Sequence, residues 1–400
     1  MVRVAIVSKG SAIMLARSMA RLGTETAFVV LARAKALEAE GKDIVHLEIG
    51  EPDFDTPPNI IEAAVKALRG GYTHYGPAAG LPEVRQTFAE YIAKDRCIEV
   101  GPENIVITPG GKPIIYYPLT ALVDPGDEVV YPNPGFPIYE SVINFLGAKA
   151  VPIKLAEEQE FSFSMDELAR LVNDQTKLLI INSPQNPTGG VLSASDLDAI
   201  AELAIRYDFW VLADEIYNKI IYQGQHESIT TRPGMLERTI LLDGHSKTYA
   251  MTGWRLGFGV MPAKLAEQVA KLQTNCTSCT ASFTQIAGAE ALTGPQDMAQ
   301  SMVTEFKARR DLLVDGLNAI DGVTCLRPKG AFYVFPNITG LGLKSKEAET
   351  KLLDEYGVAA LAGTSFGAFG EGYLRFSYAN SQENIRKALD RIADFAADVR

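Results

Sequence analysis

Apolar residues recur along this chain with two spacings. Ala27, Val30, Leu31, Ala34 and Leu37 fall three or four apart and Gly41 follows as a stop, which predicts a helix over 27–40. A short apolar run over 44–49 reads as a strand, and Gly50-Glu51-Pro52-Asp53-Phe54 as a turn-rich loop. Helical spacing returns over 60–68, and again at Leu81, Val84, Phe88, Tyr91 and Ile92, with Pro82 at a tolerated first-turn position. A loop rich in Gly and Pro, 73–80, separates the two.

Beyond residue 100 the pattern alternates. Near-continuous apolar runs over 104–108, 128–131, 177–182, 209–214, 239–242 and 256–260 have the character of strands buried on both faces. Amphipathic stretches over 113–122, 139–145, 165–172 and 194–206 lie between them, with a kink expected at Pro118. Such alternation predicts an α/β fold with a mostly parallel sheet covered by helices on both sides. After about residue 295 the order changes to a long charged helix over 302–318, short strands over 322–325, 331–335 and 373–378, and a final helix capped by Ser381. The expected organisation is therefore an extension over 1–13, a segment over 14–50 that joins a smaller α+β domain over 296–400, and a large domain over 51–295.

Composition narrows the partners. The net charge of −11 argues against a nucleic-acid or anionic-membrane surface, because both need a basic patch. A small anionic substrate held by a local Arg and Lys cluster is still allowed. The only apolar run near the start, residues 2–7, is interrupted by Arg3 and is too short for a signal or a membrane span, so a cytoplasmic protein is expected. Cys276-Thr277-Ser278-Cys279 is a lone pair with no second half to complete a zinc site, and no metal is expected.

Candidate chemistry clusters at strand ends, where open α/β sheets place their ligands. The runs ending near 182, 214 and 242 are followed by Asn182-Ser183-Pro184-Gln185-Asn186-Pro187-Thr188-Gly189, by Asp214-Glu215-Ile216-Tyr217, and by Ser246-Lys247 with Arg255 eight residues on. Taken singly, Lys247 reads as a solvated loop residue and Asp214 as a helix cap. Together they read as a desolvated amine and a carboxylate for a buried cation. The cofactor that needs this set is pyridoxal phosphate: a lysine for its aldehyde, a carboxylate for its ring nitrogen, donors for its ring oxygen, and an arginine with helix-start N–H groups for its phosphate. Thr108-Pro109-Gly110-Gly111-Lys112-Pro113 supplies the last part, a glycine pair between a strand and a helix.

These motifs, with Gly50-Glu51-Pro52-Asp53-Phe54 and Ser246-Lys247-Thr248-Tyr249-Ala250-Met251-Thr252-Gly253-Trp254-Arg255, resemble those of the class I aminotransferases of fold type I, in the prokaryotic aspartate and prephenate branch. The likeness runs from about residue 15 to the end. It implies a homodimer that moves an amino group between an amino acid and a 2-oxo acid by ping-pong half-reactions. Lys247 would be the Schiff-base lysine and catalytic base, Asp214 the partner of the ring nitrogen, and Asn186 and Tyr217 the ligands of the ring oxygen. Gly110, Gly111, Lys112, Ser246 and Arg255 would surround the phosphate, with Tyr75 arriving from the second subunit. Phe136 would stack on the ring. Arg375 and Gly50 would hold the substrate α-carboxylate, and Lys112 the distal carboxylate of an acidic substrate. Aspartate with 2-oxoglutarate is the expected pair; prephenate, alanine and aromatic amino acids are alternatives, as is β-lyase chemistry on the same fold. Two positions depart from the pattern. Gly244 stands where many relatives carry a phosphate-binding Ser, and Gly23-Thr24-Glu25-Thr26, expected to line the entrance, differs from the usual aspartate-enzyme segment.

Overall fold

The computed structural model describes residues 15–400; the expected extension over 1–13 lies outside the described residues. Among the described residues a short 3-10 helix (Arg17–Arg21) comes first, followed by helix α1 (Ala27–Ala39), the two-residue strand β1 (Val45–His46), and helices α2 (Pro58–Arg69) and α3 (Pro82–Arg96). The alternating part follows: β2 (Ile105–Thr108), α4 (Lys112–Leu122), β3 (Glu128–Asn133), α5 (Ile138–Leu146), β4 (Lys149–Lys154), α6 (Met165–Leu171), β5 (Thr176–Asn182), α7 (Ala194–Tyr207), β6 (Trp210–Asp214), β7 (Thr239–Gly244) and β8 (Gly257–Val260). The seven strands form one sheet in the order β2-β8-β7-β6-β5-β3-β4. Strands β3 to β7 pair in parallel, and β8 runs antiparallel to both of its neighbours.

Both sheet faces are dry, as the apolar runs require. In β5, Leu179 and Ile181 enter one core and Leu178 and Ile180 another, with β6 and β7 alternating in the same way. No polar face is left on these strands. Polar side chains therefore collect at their carboxyl ends, where the chain leaves the sheet.

Two long helices, α8 (Ala263–Thr277) and α9 (Ser282–Thr293), lead out of the sheet to α10 (Asp297–Asn318). The remainder holds β9 (Tyr333–Val334), α11 (Ser345–Asp354), β10 (Val358–Ala359), β11 (Leu361–Ala362), β12 (Leu374–Ser377) and α12 (Gln382–Asp398). Strand β12 pairs antiparallel with β11 on one side and β9 on the other. Strand β1 from the start of the chain pairs in parallel with β10 near its end. A third core, containing Phe306, Phe332, Phe376 and Phe395, joins these elements. Ser381 caps α12 as expected, accepting a hydrogen bond from the Asn384 N–H.

Several expectations need correction. The strand expected over 322–325 does not form: Thr324 makes only an isolated bridge to Asn337, beside a turn at Gly322 (φ +85°). The strands expected over 44–49 and 331–335 shrink to two residues each. Apolar character there reflects burial in the third core, not ladder pairing. Strand β4 was not anticipated, because its outer residues are half exposed and it contains Pro152, which an edge strand tolerates. Helix α9 shows no amphipathic spacing in the sequence: Ser282, Thr284 and Gln285 are buried along with Ala287 and Ala291, so polar and apolar residues share its inner face. Among the described residues no helix is long and apolar enough to cross a membrane.

Candidate active site

One cavity of about 500 Å³ opens at the carboxyl ends of β5, β6 and β7 and is closed on its far side by Tyr333, Phe366 and Arg375. Of the residues singled out above, Gly50, Gly111, Lys112, Phe136, Asn186, Asp214, Tyr217, Ser246, Lys247, Arg255 and Arg375 line it. Gly110 stands one step back, packed against the Arg255 guanidinium so closely that a Cβ there would collide with Nη2. Tyr75 does not reach the cavity of its own chain; it is 90% exposed.

Lys247 follows the end of β7. Its Nζ donates to the Gly50 carbonyl at 2.6 Å and lies 5.8 Å from the centre of the Phe332 ring. Desolvation is the main influence on it and outweighs the attraction of Glu51, so its pKa falls to about 8. An amine so placed is available as a nucleophile and a base near neutral pH.

Asp214 ends β6 and is buried. The Tyr139 hydroxyl donates to its Oδ2 at 2.6 Å and the Ile216 N–H to its Oδ1 at 3.3 Å. Burial pushes its pKa up to about 6 despite these bonds. Asn182 fixes the same strand end, donating from Nδ2 to the Asp214 carbonyl at 2.9 Å and accepting from the Asn186 N–H at 2.9 Å. The Tyr217 and Tyr333 hydroxyls meet at 2.7 Å.

Arg375, in β12, is buried with its guanidinium 4.6 Å from the Tyr333 ring centre and 5.0 Å from that of Phe366. It donates to the Glu48 carbonyl, and from Nη1 to Asn186 Oδ1 at 3.4 Å, while its Nε has no partner. Among the described residues no carboxylate is in salt-bridge contact with it, although the charges of Glu48 and Glu25 reach it, and a buried guanidinium with a free N–H has room for an anion.

A second buried charge cluster braces the strand ends from behind. Arg96 donates from Nε to Glu215 Oε2 at 3.0 Å and lies 3.4 Å from Asp243. Burial alone would raise the Glu215 pKa; His226, Arg96 and Ser228 hold it down at about 2. Glycines do the rest. Gly244 and Gly257 face each other across β7 and β8, and a Cβ on Gly257 would lie 2.6 Å from the Gly110 carbonyl carbon. A side chain on Gly244 would press on Ile216 Cδ1 at 3.0 Å, so the absent serine is also a packing choice. Gly257→Ala is expected to push the 108–112 loop outward and cost about 1–3 kcal/mol of stability, read as a lower thermal midpoint together with weaker cofactor binding.

Two residues in this network carried no signal in the sequence. Tyr139 and Tyr333 sit at apolar positions of a helix and a strand and read there as core. Only the fold shows that their hydroxyls meet Asp214 and Tyr217.

A buried amine, a buried acid and a buried arginine with a free N–H surround one cavity at the strand ends of a doubly covered sheet. The chain matches the family model for aminotransferase class I and II over residues 42–392. It is 44% identical over 355 residues to the aspartate aminotransferase of Pyrococcus abyssi, covering 88% of this chain and 91% of that protein. It is 42% identical over 353 residues to aromatic-amino-acid aminotransferase 2 of Thermococcus litoralis, covering 87% and 90%. The structure of the Thermus thermophilus aspartate aminotransferase with maleate superposes with a TM-score of 0.91 at 37% identity, covering 95% of this chain and 99% of that one. The chain belongs to the class I and II aminotransferases and is a transaminase with the fold type I architecture.

Proposed function

We propose that the cavity binds pyridoxal phosphate and carries an amino group between an acidic amino acid, aspartate first, and 2-oxoglutarate. The observation that carries this reading is the convergence of Lys247, Asp214 and Arg375 on one enclosed space. The residues fit the cofactor. Lys247 is a desolvated amine, Arg375 has an unpartnered buried N–H, and Gly110, at φ +89°, leaves only backbone beside Arg255. The N–H groups of Gly111 and Lys112 open α4 beside the same cavity, whereas Pro113 has none and the Ile114 N–H already donates to the Gly111 carbonyl.

When bound, pyridoxal phosphate supplies an electrophilic carbonyl and a ring that accepts the electron pair left by a departing α-proton. Lys247 Nζ would take and return that proton. Asp214 would hold a proton at the ring nitrogen. Asn186 and Tyr217 would steady the ring oxygen, and the Tyr333 hydroxyl meets that of Tyr217. Gly110, Gly111, Ser246 and Arg255 would hold the phosphate, Phe136 would pack on the ring, and Arg375 with Gly50 would orient the α-carboxylate. A homodimer in which Tyr75 enters the neighbouring site accounts for an aromatic residue 90% exposed in the single chain. The pairing of β1 with β10 supports the division in which 14–50 joins 296–400, apart from 51–295.

Lys112 lies at the cavity mouth and favours an acidic side chain, in keeping with the maleate complex of the Thermus relative. A second reading, an aromatic donor, is favoured by the rings of Phe28 and Phe136 at the same mouth. Titrating the cofactor-loaded protein with single amino acids decides between them. The visible band should bleach with aspartate and return with 2-oxoglutarate; bleaching only by aromatic amino acids would overturn the acidic assignment. Arg375→Lys should lower kcat/KM about 10–100-fold for every donor, because a point charge replaces a planar fork, and leave the band of the resting enzyme in place.

A further inference from the structure

The mouth of the cavity holds an ion pair whose acidic member the proposed reaction does not use. Lys112, at the first turn of α4, is bonded to the carboxylate of Glu25. Glu25 belongs to the segment just before α1, and 25–28 line the cavity. The lysine side chain is 48% exposed and the glutamate only 19%, so the carboxylate is tucked inward. Lys112 Nζ lies 5.8 Å from the Phe136 ring centre, and Phe28 flanks the same opening. The Glu25 charge also reaches inward, favouring the charged forms of Lys247 and Arg375.

We propose that Glu25 is a specificity-determining residue: its carboxylate occupies the position on Lys112 that a diacid's distal carboxylate takes, and it yields that position only to such a substrate. This rests on the reading of Lys112 as the distal-carboxylate site. With an uncharged or aromatic side chain in the cavity, Glu25 stays on Lys112, no bare cation faces the ring, and Phe28 and Phe136 supply apolar contact. With aspartate or 2-oxoglutarate present, the two carboxylates repel, and Glu25 turns to the water at the rim while the substrate takes the lysine. One cavity thus serves both side-chain classes without rebuilding its walls. The cost is that every diacid must displace a carboxylate already in place.

The test compares the cofactor-loaded protein with its Glu25→Gln and Lys112→Met variants in single-turnover bleaching by aspartate and by phenylalanine. Glu25→Gln should raise the aspartate-to-phenylalanine ratio of rate over dissociation constant about three- to tenfold. Glu25→Ala should do the same, which separates loss of the carboxylate from any contact made by the amide. Lys112→Met should lose aspartate and lower the aspartate-to-phenylalanine ratio. Adding Glu25→Gln to it should change nothing further for aspartate, because the two residues act as one unit. If Lys112→Met loses aspartate but both Glu25 variants leave the ratio unchanged, the Glu25 assignment is overturned and the acidic-substrate reading stands. If Lys112→Met leaves aspartate untouched, the distal-carboxylate reading is overturned and the Glu25 assignment goes with it.

Discussion

Lys247→Ala is expected to fold normally and to lose transamination by at least about four orders of magnitude, the upper range for removing a positioned acid–base group. Among the described residues the only other lysine lining the cavity is Lys112. It is held at the mouth by Glu25. The side chain removed makes one hydrogen bond, to the Gly50 carbonyl, and is an amine that burial disfavours in its charged form. The thermal midpoint of the cofactor-free protein should therefore hold or rise. Stopped-flow absorbance on the loaded variant, mixed with aspartate, is the measurement. A rate within tenfold of the unaltered protein would mean that the base lies elsewhere.

Asp214→Asn should lower kcat about 10²–10³-fold, the usual cost of removing one preorganised electrostatic group. The amide is nearly the same shape, and it can still accept from the Ile216 N–H and meet the Tyr139 hydroxyl. In the role proposed for Asp214, it could not hold a proton on the ring nitrogen of pyridoxal phosphate. The change has a second, opposite signature in the cofactor-free chain. Burial raises the Asp214 pKa from its ordinary 3.8 to about 6. An acid whose folded pKa is raised weakens the fold once it is ionised, with the penalty complete above pH 6 and absent below pH 4. The asparagine variant should thus be the more stable one at neutral pH, by ~1–3 kcal/mol, and should lose that advantage in acid. Thermal melts of the two proteins across this range check the sign. Equal melts at all pH values would mean that Asp214 is not desolvated.

What could be read from residue order was whatever is local or repeats. The strand runs are apolar on both faces because the sheet is covered on both sides, and that forced Asn182, Asp214 and Lys247 to the strand ends. Contacts between distant segments left no local trace. Glu25 meets Lys112 across 87 residues and Tyr217 meets Tyr333 across 116, and neither pairing alters the spacing around its members. The mistaken strand over 322–325 has the same origin. Val323 and Cys325 are buried by neighbouring elements, so their apolar character belongs to tertiary packing.

The corner of the cavity at Arg375 brings together Glu48 and Arg375, residues 327 positions apart. During synthesis at about 5–20 residues per second, roughly 15–65 seconds pass between their emergence. The whole seven-stranded sheet, complete by Val260, can assemble in that interval. Val45 and Leu47 meanwhile have no strand to lie against, since Val358 and Ala359 are still unmade. A nascent chain arrested after residue 300 is therefore expected to carry a folded sheet and an exposed apolar stretch near its beginning, the natural landing place for a chaperone.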